Sequence, residues 1–181
     1  MIRAGVCFEL VCGTNCFLRL QLLSPLVFLP KTDDYLCSVN NFSNFCAMVN
    51  RAGLQDMFGG IDGTTQFITL FAPTNKGCKI GGLNVNDINS MDKDLLKDIV
   101  MTHATAGSVL AEQLQCGAQL STLEGTFSVH STKCFLDTHA KAQYGFFNVE
   151  DEYPMILSPN DLELCNGLIQ PVNNMIRVIN F

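Results

Sequence analysis

The chain carries nine cysteines and three histidines, residue types that serve proteins as nucleophiles, bases and metal ligands. The histidines (His103, His130 and His139) are scattered, and the sequence contains no Cys-x-x-Cys, no Gly-x-Ser-x-Gly and no phosphate-binding glycine loop. Covalent catalysis needs a base beside its nucleophile, and no such pair is visible. We therefore predict that the chain is not an enzyme and needs no cofactor. The alternative is a thiol-dependent enzyme or hydrolase that uses Cys165 or Cys78 with a histidine.

The cysteine count bears on the cellular compartment. An oxidising compartment would favour disulfides, whereas a reducing one would favour metal or redox chemistry. The odd total leaves at least one thiol unpaired in a monomer, and we expect Cys165, which lies in an apolar stretch, to be buried and free. A zinc site formed by Cys116, His130 and Cys134 with a fourth ligand ranks below disulfides because that spacing fits no closed zinc pattern. An intracellular metal-binding protein with reduced cysteines is a third, weaker alternative.

Length and composition restrict the class of protein. The chain has 181 residues, 48% of them apolar and 15% charged, which suits one domain with a substantial core. Its formal net charge is −6, and its sequence contains no basic cluster. An acidic chain of this kind is a poor ligand for nucleic acid or for an anionic membrane surface. We therefore predict no nucleic-acid partner.

Two apolar stretches are the strongest signals of regular structure. The stretch 66–75 (QFITLFAPTN) contains an uncharged β-branched and aromatic run, which predicts a buried strand over 67–71. Pro73 is expected to end that strand because proline lacks a ladder donor, and the threonine and asparagine at 74–75 are suited to cap a following turn or short helix. The stretch 166–172 (NGLIQPV) predicts a turn followed by a second apolar strand.

Two helices are predicted in the first part of the chain. Ser43 is expected to cap the first, which Gly53 ends in the position where a left-handed residue is usual. Asp92 is expected to cap the second, and Gly107 to stop it. The buried face of this second helix is predicted to carry, at helical spacing, Leu96, Ile99, Val100 and His103.

The second part of the chain predicts strands. They are expected at 119–123, 126–131, 144–149, 155–157, 168–172 and 176–179. Helices followed by a mostly antiparallel set of strands indicate the α+β class. The sequence shows no internal repeat, so we expect one copy of the domain.

The two apolar stretches resemble the signature boxes of the fasciclin-like domain family. Residues 71–75 (FAPTN) resemble the first box, and residues 166–169 (NGLI) with Val172 resemble the second. Between them, the helix containing His103 is followed four residues later by Gly107, as in that family. The chain is similar above all to the cysteine-containing, algal-type secreted members.

This resemblance implies one α+β domain over residues 36–181, with a wedge-shaped, mostly antiparallel β-sheet and packed α-helices. The family usually carries a small apolar helix after the first box; here residues 76–89 are rich in glycine and asparagine, so that helix should be shortened or lost. Residues 1–35 lie outside the resemblance. They predict an N-terminal arm or a degraded targeting segment, since no uninterrupted apolar run approaches the ~20 residues of a membrane helix.

The resemblance also suggests two partner-binding positions. Relatives that bind integrins carry an Asp-Ile pair just before the second box, and Asp161 with Leu162 falls at that place; a carboxylate oxygen there can serve a metal-dependent receptor as a ligand. In animal relatives a Tyr-His pair at the place of His103 is associated with adhesion, although Thr102 replaces the tyrosine here. The competing interpretations are structural, namely a turn residue at Asp161 and a hydrogen-bonded core histidine at His103.

The spacings of four cysteines recur in the cysteine-containing relatives, which implies disulfides between Cys37 and Cys46 and between Cys116 and Cys134. Each unstrained bridge would stabilise the fold by about 2–3 kcal/mol. Asn41 begins the single Asn-x-Ser/Thr sequence of the chain and is a predicted glycosylation site if the protein is secreted.

These features together predict an extracellular or cell-surface adhesion or matrix module. Its partners would be cell-surface or matrix glycans or proteins, engaged through a rigid fasciclin-like surface. Any association with a membrane would come from another chain or from a missing segment.

Overall fold

The structure, a computed structural model, describes residues 29–59, 67–125, 129–135 and 140–177. Some predictions fall outside these residues: they concern His139, the N-terminal arm up to residue 28, and the ends of two predicted strands at 126–128 and 178–179.

Helices dominate the first part of the described chain. In chain order they are α1 (Thr32–Ser38), α2 (Ser43–Ala52), α3 (Gln55–Gly59), α4 (Asn75–Ile80), α5 (Val85–Ser90) and α6 (Lys93–Thr102). Short 3-10 helices lie at Asn40–Phe42, Ala111–Gln113 and Glu150–Glu152. Within these described residues, no helix combines the length and apolar character needed to cross a membrane.

Local sequence sets two of the helix ends as predicted. Asp92 caps α6, because its Oδ1 accepts the backbone N–H groups of Asp94 and Leu95 at 2.9 and 3.1 Å. Gly53 ends α2 at φ 73°, a left-handed conformation that glycine adopts without a side-chain clash.

The start of α2 differs from the prediction. Ser43 is the first helical residue rather than the cap, and the preceding Phe42 provides no side-chain cap. Instead, Oδ1 of Asn75 accepts the backbone N–H of Asn44 at 2.9 Å, while Nδ2 of Asn75 donates to Asn40 O at 2.7 Å and to Ser43 Oγ at 2.9 Å. The last residue of the first signature box therefore caps a helix that precedes it by about thirty residues.

The helix after the first box is present but only six residues long. Thr74 caps α4, its Oγ1 accepting the N–H of Gly77 at 3.2 Å. A Cβ on Gly77 would lie 2.9 Å from the backbone carbon of Asn173. The glycine therefore lets α4 pack directly against the chain that leaves the last strand.

The strands form two sheets. They are β1 (Ile68–Pro73), β2 (Ala104–Ala106), β3 (Gln119–Ser121), β4 (Val129–Phe135), β5 (Ala140–Tyr144), β6 (Leu162–Glu163) and β7 (Gly167–Val172). One sheet has the order β2-β1-β7-β6 and the other β3-β4-β5. All pairs are antiparallel except β1 with β7, which is parallel. The predicted α+β class with mostly antiparallel strands is confirmed.

β1 is buried on both faces, which explains its uncharged sequence. Leu70 packs in the main core beneath the helices, whereas Phe71 packs in a second core with Leu114, Val172 and Ile176. Successive side chains of a strand point to opposite faces, so both faces of β1 need apolar residues.

The first strand continues through Pro73 instead of ending at Phe71. The N–H of Thr74 donates to Val172 O of β7 at 3.0 Å, so Pro73, one residue earlier, faces the β2 side. β2 pairs with β1 only as far as Leu70. The proline therefore costs the sheet no hydrogen bond.

The predicted helix stop at Gly107 is wrong. α6 ends at Thr102, and His103 O accepts the N–H of Phe71 at 2.8 Å as the chain enters β2. Gly107 follows β2 and has φ 86°. Pairing with β1, rather than a glycine, thus ends the helix.

Two predicted strands in the second part of the chain are wrong. β5 ends at Tyr144, and the segment 145–148 turns because Asn148 Oδ1 accepts the N–H of Gly145 at 2.9 Å. The segment 155–157 makes only isolated bridges, because Ile156 N donates to Lys141 O next to one sheet and the following N–H donates into the other. This segment therefore links the two sheets instead of extending either.

The described residues 176 and 177 also form no strand, since the N–H of Ile176 donates to the ring of His103. At the other end of the domain, Asn166 Oδ1 accepts both the N–H and the hydroxyl of Thr32, at 3.0 and 3.1 Å, and its Nδ2 donates to Phe58 O at 2.6 Å. The asparagine of the second box thus fixes α1 and α3 to the start of β7.

Candidate functional site

Asp161 lies in the loop that precedes β6, with φ 52°. This left-handed conformation is uncommon for residues with a side chain, and aspartate and asparagine adopt it most readily after glycine. The side chain is half-buried. The residue chosen by its resemblance to the adhesive relatives thus occupies a backbone position that few residue types tolerate.

Three hydrogen bonds hold Asp161 in place. Its Oδ1 accepts the backbone N–H of Ala111 at 2.7 Å and the Nε2–H of Gln170 at 2.5 Å. Its own backbone N–H donates to Gln170 Oε1 at 3.1 Å. Gln170 is fully buried in β7 and also donates to Val109 O at 3.0 Å. The loop is therefore anchored to the central strand by a buried amide.

A cavity of about 300 Å³ lies beside this loop. Its lining includes Glu112, Lys141, Leu157 and Asn160, so it offers charged, amide and apolar contacts together. Lys141 Nζ donates to Ala111 O at 2.6 Å, which holds the ammonium group at the wall of the cavity. The arrangement can bind a polar group and an adjacent apolar group.

Leu162 is placed differently from its neighbour. It begins β6, pairs with Ile169 of β7 and packs against the main core. Of the two predicted contact residues in this pair, Asp161 therefore presents the polar group and Leu162 fixes the strand. Their role in partner binding stays a prediction.

His103 lies at the end of α6 and is fully buried. Its Nδ1 is 2.8 Å from Ile99 O, and its Nε2 accepts the N–H of Ile176 at 2.9 Å, so the neutral tautomer protonated at Nδ1 satisfies both partners. Its ring also meets that of Phe45 edge-on at 5.6 Å. In this position His103 can influence a partner only through the backbone that it holds, and its binding role stays a prediction.

Both described histidines favour the neutral form. Burial lowers the pKa of His103 to about 4, against the opposing hydrogen bond to Ile99. Burial likewise lowers the pKa of His130 to about 4; its Nδ1 is 2.8 Å from Gln143 Oε1, and its ring packs against Phe71. Neither is placed as a surface base.

The two disulfides implied by the resemblance are present. Cys37 and Cys46 are joined with a Cα–Cα distance of 5.2 Å, and Cys116 and Cys134 with one of 5.4 Å. The first fastens α1 to α2, and the second fastens the segment before β3 to β4. Sulfurs paired in this way cannot bind zinc, which removes two of the three named ligands of the alternative zinc site.

The prediction that Cys165 is a free thiol is wrong, because Cys165 is disulfide-bonded. Cys78 is the free cysteine of the described residues; it is buried, and burial raises the pKa of its thiol to about 12. A thiol with this pKa is not a nucleophile at neutral pH. In the described ranges, no group of three or more histidine, cysteine or acidic side chains is placed to hold a metal ion.

Asn41 is exposed in the 3-10 helix between α1 and α2, and Ser43 of the same sequence is also exposed. A glycan at this position would project into solvent beside the Cys37–Cys46 bridge. Its attachment stays a prediction.

The sequence profile of the Fasciclin domain matches residues 40–178, more than half of the chain. The chain belongs to the fasciclin domain family. Domains of this family are associated with cell adhesion modules and occur in extracellular or cell-surface proteins. No curated protein matches the chain.

Among solved structures, this fasciclin domain is similar to the FAS1 domain pair of the insect cell adhesion molecule Fasciclin I, with 17% sequence identity and a TM-score of 0.63. The match covers 82% of this chain and 51% of that one, so the chain spans about half the length of the solved domain pair. At this identity the likeness shows the fold alone.

The fasciclin fold brings the two signature boxes together. Residues of the first box pair in parallel with the strand of the second, with Phe71 opposite Gln170 and Pro73 opposite Val172. Sequence reasoning missed the anchoring role of Gln170. A polar residue inside the apolar run NGLIQPV was the available signal, because a buried amide needs polar partners.

Proposed function

We propose that this fasciclin domain is an extracellular or cell-surface adhesion or matrix module that engages protein receptors or glycans through the surface around Asp161. The association of the family with cell adhesion supports the general role. The contact surface is proposed from the geometry of this chain.

The observation that carries the proposal is the anchored carboxylate of Asp161. Both side-chain hydrogen bonds of Asp161 use Oδ1, its side chain is partly exposed, and the preceding residue, Asn160, lines a cavity of about 300 Å³. A loop fixed before binding loses little conformational freedom when a partner docks. A carboxylate oxygen of a partly exposed aspartate is also a suitable ligand for a divalent cation held by a receptor.

The disulfides support an oxidising compartment. The pair Cys37–Cys46 and the pair Cys116–Cys134 have Cα–Cα distances of 5.2 and 5.4 Å, within the range of protein disulfides, and such bonds persist mainly outside the cytosol. The exposed sequon at Asn41 is compatible with the same compartment.

The thiol-enzyme alternative loses its two nucleophile candidates. The sulfur of Cys165 is already in a disulfide, and the thiol of Cys78 is buried with a pKa of about 12. No observation on the described residues favours that alternative over adhesion.

The test is cell attachment to surfaces coated with the purified chain, in the presence of divalent cations and after their removal with a chelator. The informative variant is Asp161→Asn. Asparagine keeps an oxygen for Ala111 N–H and Gln170 Nε2–H and tolerates positive φ, but it lacks the charge that a cation needs. Asp98→Asn, which removes an exposed charge on α6, is the matched control.

We expect attachment that needs divalent cations, that falls at least about tenfold with Asp161→Asn and that is unchanged with Asp98→Asn. Unfolding midpoints of both variants should equal that of the parent chain. Equal attachment by the Asp161 variant would remove this carboxylate from the contact surface. If no cell line attaches to the parent chain and the parent chain binds no matrix coating, the adhesion role itself is contradicted.

A further inference from the structure

A cluster of exposed apolar side chains follows β5. We call Phe146, Phe147 and Val149 the aromatic ridge; their exposed fractions are 87%, 43% and 58%. The rings of Phe146 and Phe147 meet edge-to-face with centroids 5.2 Å apart. Neighbouring large apolar side chains left in water at this level mark an interaction surface more often than a chance exposure.

The loop that carries the ridge is held in one conformation. Asn148 Oδ1 accepts the backbone N–H groups of Gly145 and Arg177, each at 2.9 Å, and its Nδ2 donates to Met175 O at 2.9 Å. Phe147 N donates to Arg177 O at 2.9 Å. The aromatic rings are therefore displayed by a backbone that is already ordered, and their exposure does not come from a loose loop.

The residues that follow the ridge in the chain line an acidic cavity. The 3-10 helix Glu150–Glu152 forms one lip of a cavity of about 350 Å³, whose wall includes Ile80, Tyr153 and Met155. Lys133 Nζ lies 3.6 Å from Glu150 Oε1 and offsets part of this charge, whereas Asp151 and Glu152 extend it. Val149 of the ridge precedes Glu150 and its O accepts the N–H of Glu152 at 2.9 Å, so an apolar part and a negatively charged part of the surface lie side by side.

This surface is separate from the cavity beside Asp161. Met155 lines the acidic cavity and the next residue, Ile156, lines the other one. Adjacent residues of an extended segment point to opposite sides, so the linking segment 155–157 stands between the two. A partner at the aromatic ridge therefore leaves the Asp161 surface open.

We propose that the aromatic ridge and the acidic cavity form a second docking surface, for a basic protein segment that carries an apolar side chain among lysines or arginines. The apolar side chain would pack on Phe146 or enter the cavity, whose volume suits one or two side chains. The positive charges would meet Asp151 and Glu152, giving the complementarity that steers association.

The charge of this surface argues against two other partners, a second copy of the chain and an anionic membrane. A second copy of this chain has a net charge of −6 and would bring the same acidic lip against itself in a symmetric dimer. An anionic membrane surface would repel the carboxylates that stand beside the ridge. A basic protein segment satisfies both halves of the surface.

The test uses the intact chain and a fluorescein-labelled synthetic peptide, LKKFKKL, with LEEFEEL as the charge-reversed probe. Two variants probe the surface: Phe146→Ser, and the double change Asp151→Lys with Glu152→Lys. Asp98→Lys is the charge control on α6. Leu29→Ser is the apolar control, because Leu29 is exposed and precedes Pro30, which lies at the start of β7, at the opposite end of that strand from the acidic cavity.

We expect saturable binding of LKKFKKL that weakens as salt rises, weakens at least about tenfold with Phe146→Ser and with the double charge reversal, and is unchanged in both controls. LEEFEEL should bind at least about tenfold more weakly than LKKFKKL. Equal binding of the two peptides, equal binding by the Phe146 variant, or no saturation up to about 1 mM peptide overturns the proposal. Binding to phosphatidylcholine vesicles that Phe146→Ser abolishes, without peptide binding, assigns the ridge to a membrane instead.

Discussion

Nε2 of His103 accepts the backbone N–H of Ile176 at 2.9 Å, across 73 residues of sequence. The same ring satisfies Ile99 O through Nδ1, so one imidazole joins the end of α6 to the chain that follows β7. Both backbone groups belong to fully buried residues, so the ring gives each of them a hydrogen bond in a place remote from solvent.

Replacing His103 with leucine should therefore destabilise the domain strongly. The variant leaves a buried N–H and a buried carbonyl without their ring partners, and we expect the free energy of unfolding to fall by about 3 kcal/mol in urea titrations. Thr102→Val removes the neighbouring buried hydroxyl, which donates to Asp98 O of its own helix at 2.8 Å, and should cost less than about 1 kcal/mol. Equal losses for the two variants would contradict the bridging role.

Stability should fall on acidification because of the two buried histidines. Their pKa values are about 4 in the folded chain, against about 6.5 when unfolded, so the unfolded chain binds more protons below that value. Their contribution is complete above about pH 6.5 and is lost as pH falls toward 4. Protonation of each histidine should lower the free energy of unfolding by about 2–3 kcal/mol between about pH 7 and pH 4.5. Burial raises the pKa of Asp33, which acts in the opposite direction.

The check is the urea midpoint as a function of pH for the parent chain and for His130→Leu. The leucine variant lacks one of the two titrating groups, so its loss of stability on acidification should be about half that of the parent. If the stability of the parent chain is constant from about pH 7 to pH 4.5, the histidines do not control its loss of stability in acid.

We expect Asn75 to stabilise the N-terminus of α2 more than any residue within that first turn does. Asn75→Ala removes the acceptor for Asn44 N–H and the donors to Asn40 O and Ser43 Oγ, and we expect a loss of about 2 kcal/mol with faster hydrogen exchange at Asn44. Asn75→Asp retains the acceptor and loses the donors. The stability of this variant should therefore lie between that of the alanine variant and that of the parent. Unchanged exchange at Asn44 in the alanine variant would argue against the remote cap.

Features with a local cause were predictable from sequence. The strand around Leu70 has to be apolar on both faces, and the caps at Asp92 and Gly53 depend on neighbours within a few residues. The false strand at 144–149 shows the limit: its residues favour strands, but the side chain of Asn148 also bonds Met175 O and Arg177 N–H, backbone groups brought from elsewhere in the chain.

The candidate site likewise contains one residue that could be predicted from sequence and one that could not. Asp161 was found because it precedes a recognisable box, whereas its anchor Gln170 is set by a contact that only the folded sheet creates. The state of Cys165 was mispredicted for a similar reason, since pairing of cysteines depends on their distance in space.

The parallel pairing of β1 with β7 has a consequence for synthesis of the chain. Gly167 is made roughly a hundred residues after Ile68, its partner in the ladder, so the middle of the sheet stays open until nearly the whole domain has left the ribosome. The two described disulfide loops span only 9 and 18 residues and can close long before that. Folding during synthesis should therefore begin with the small disulfide-linked loops. Until β7 is made, the apolar strand β1 has an unpaired edge and needs protection from aggregation.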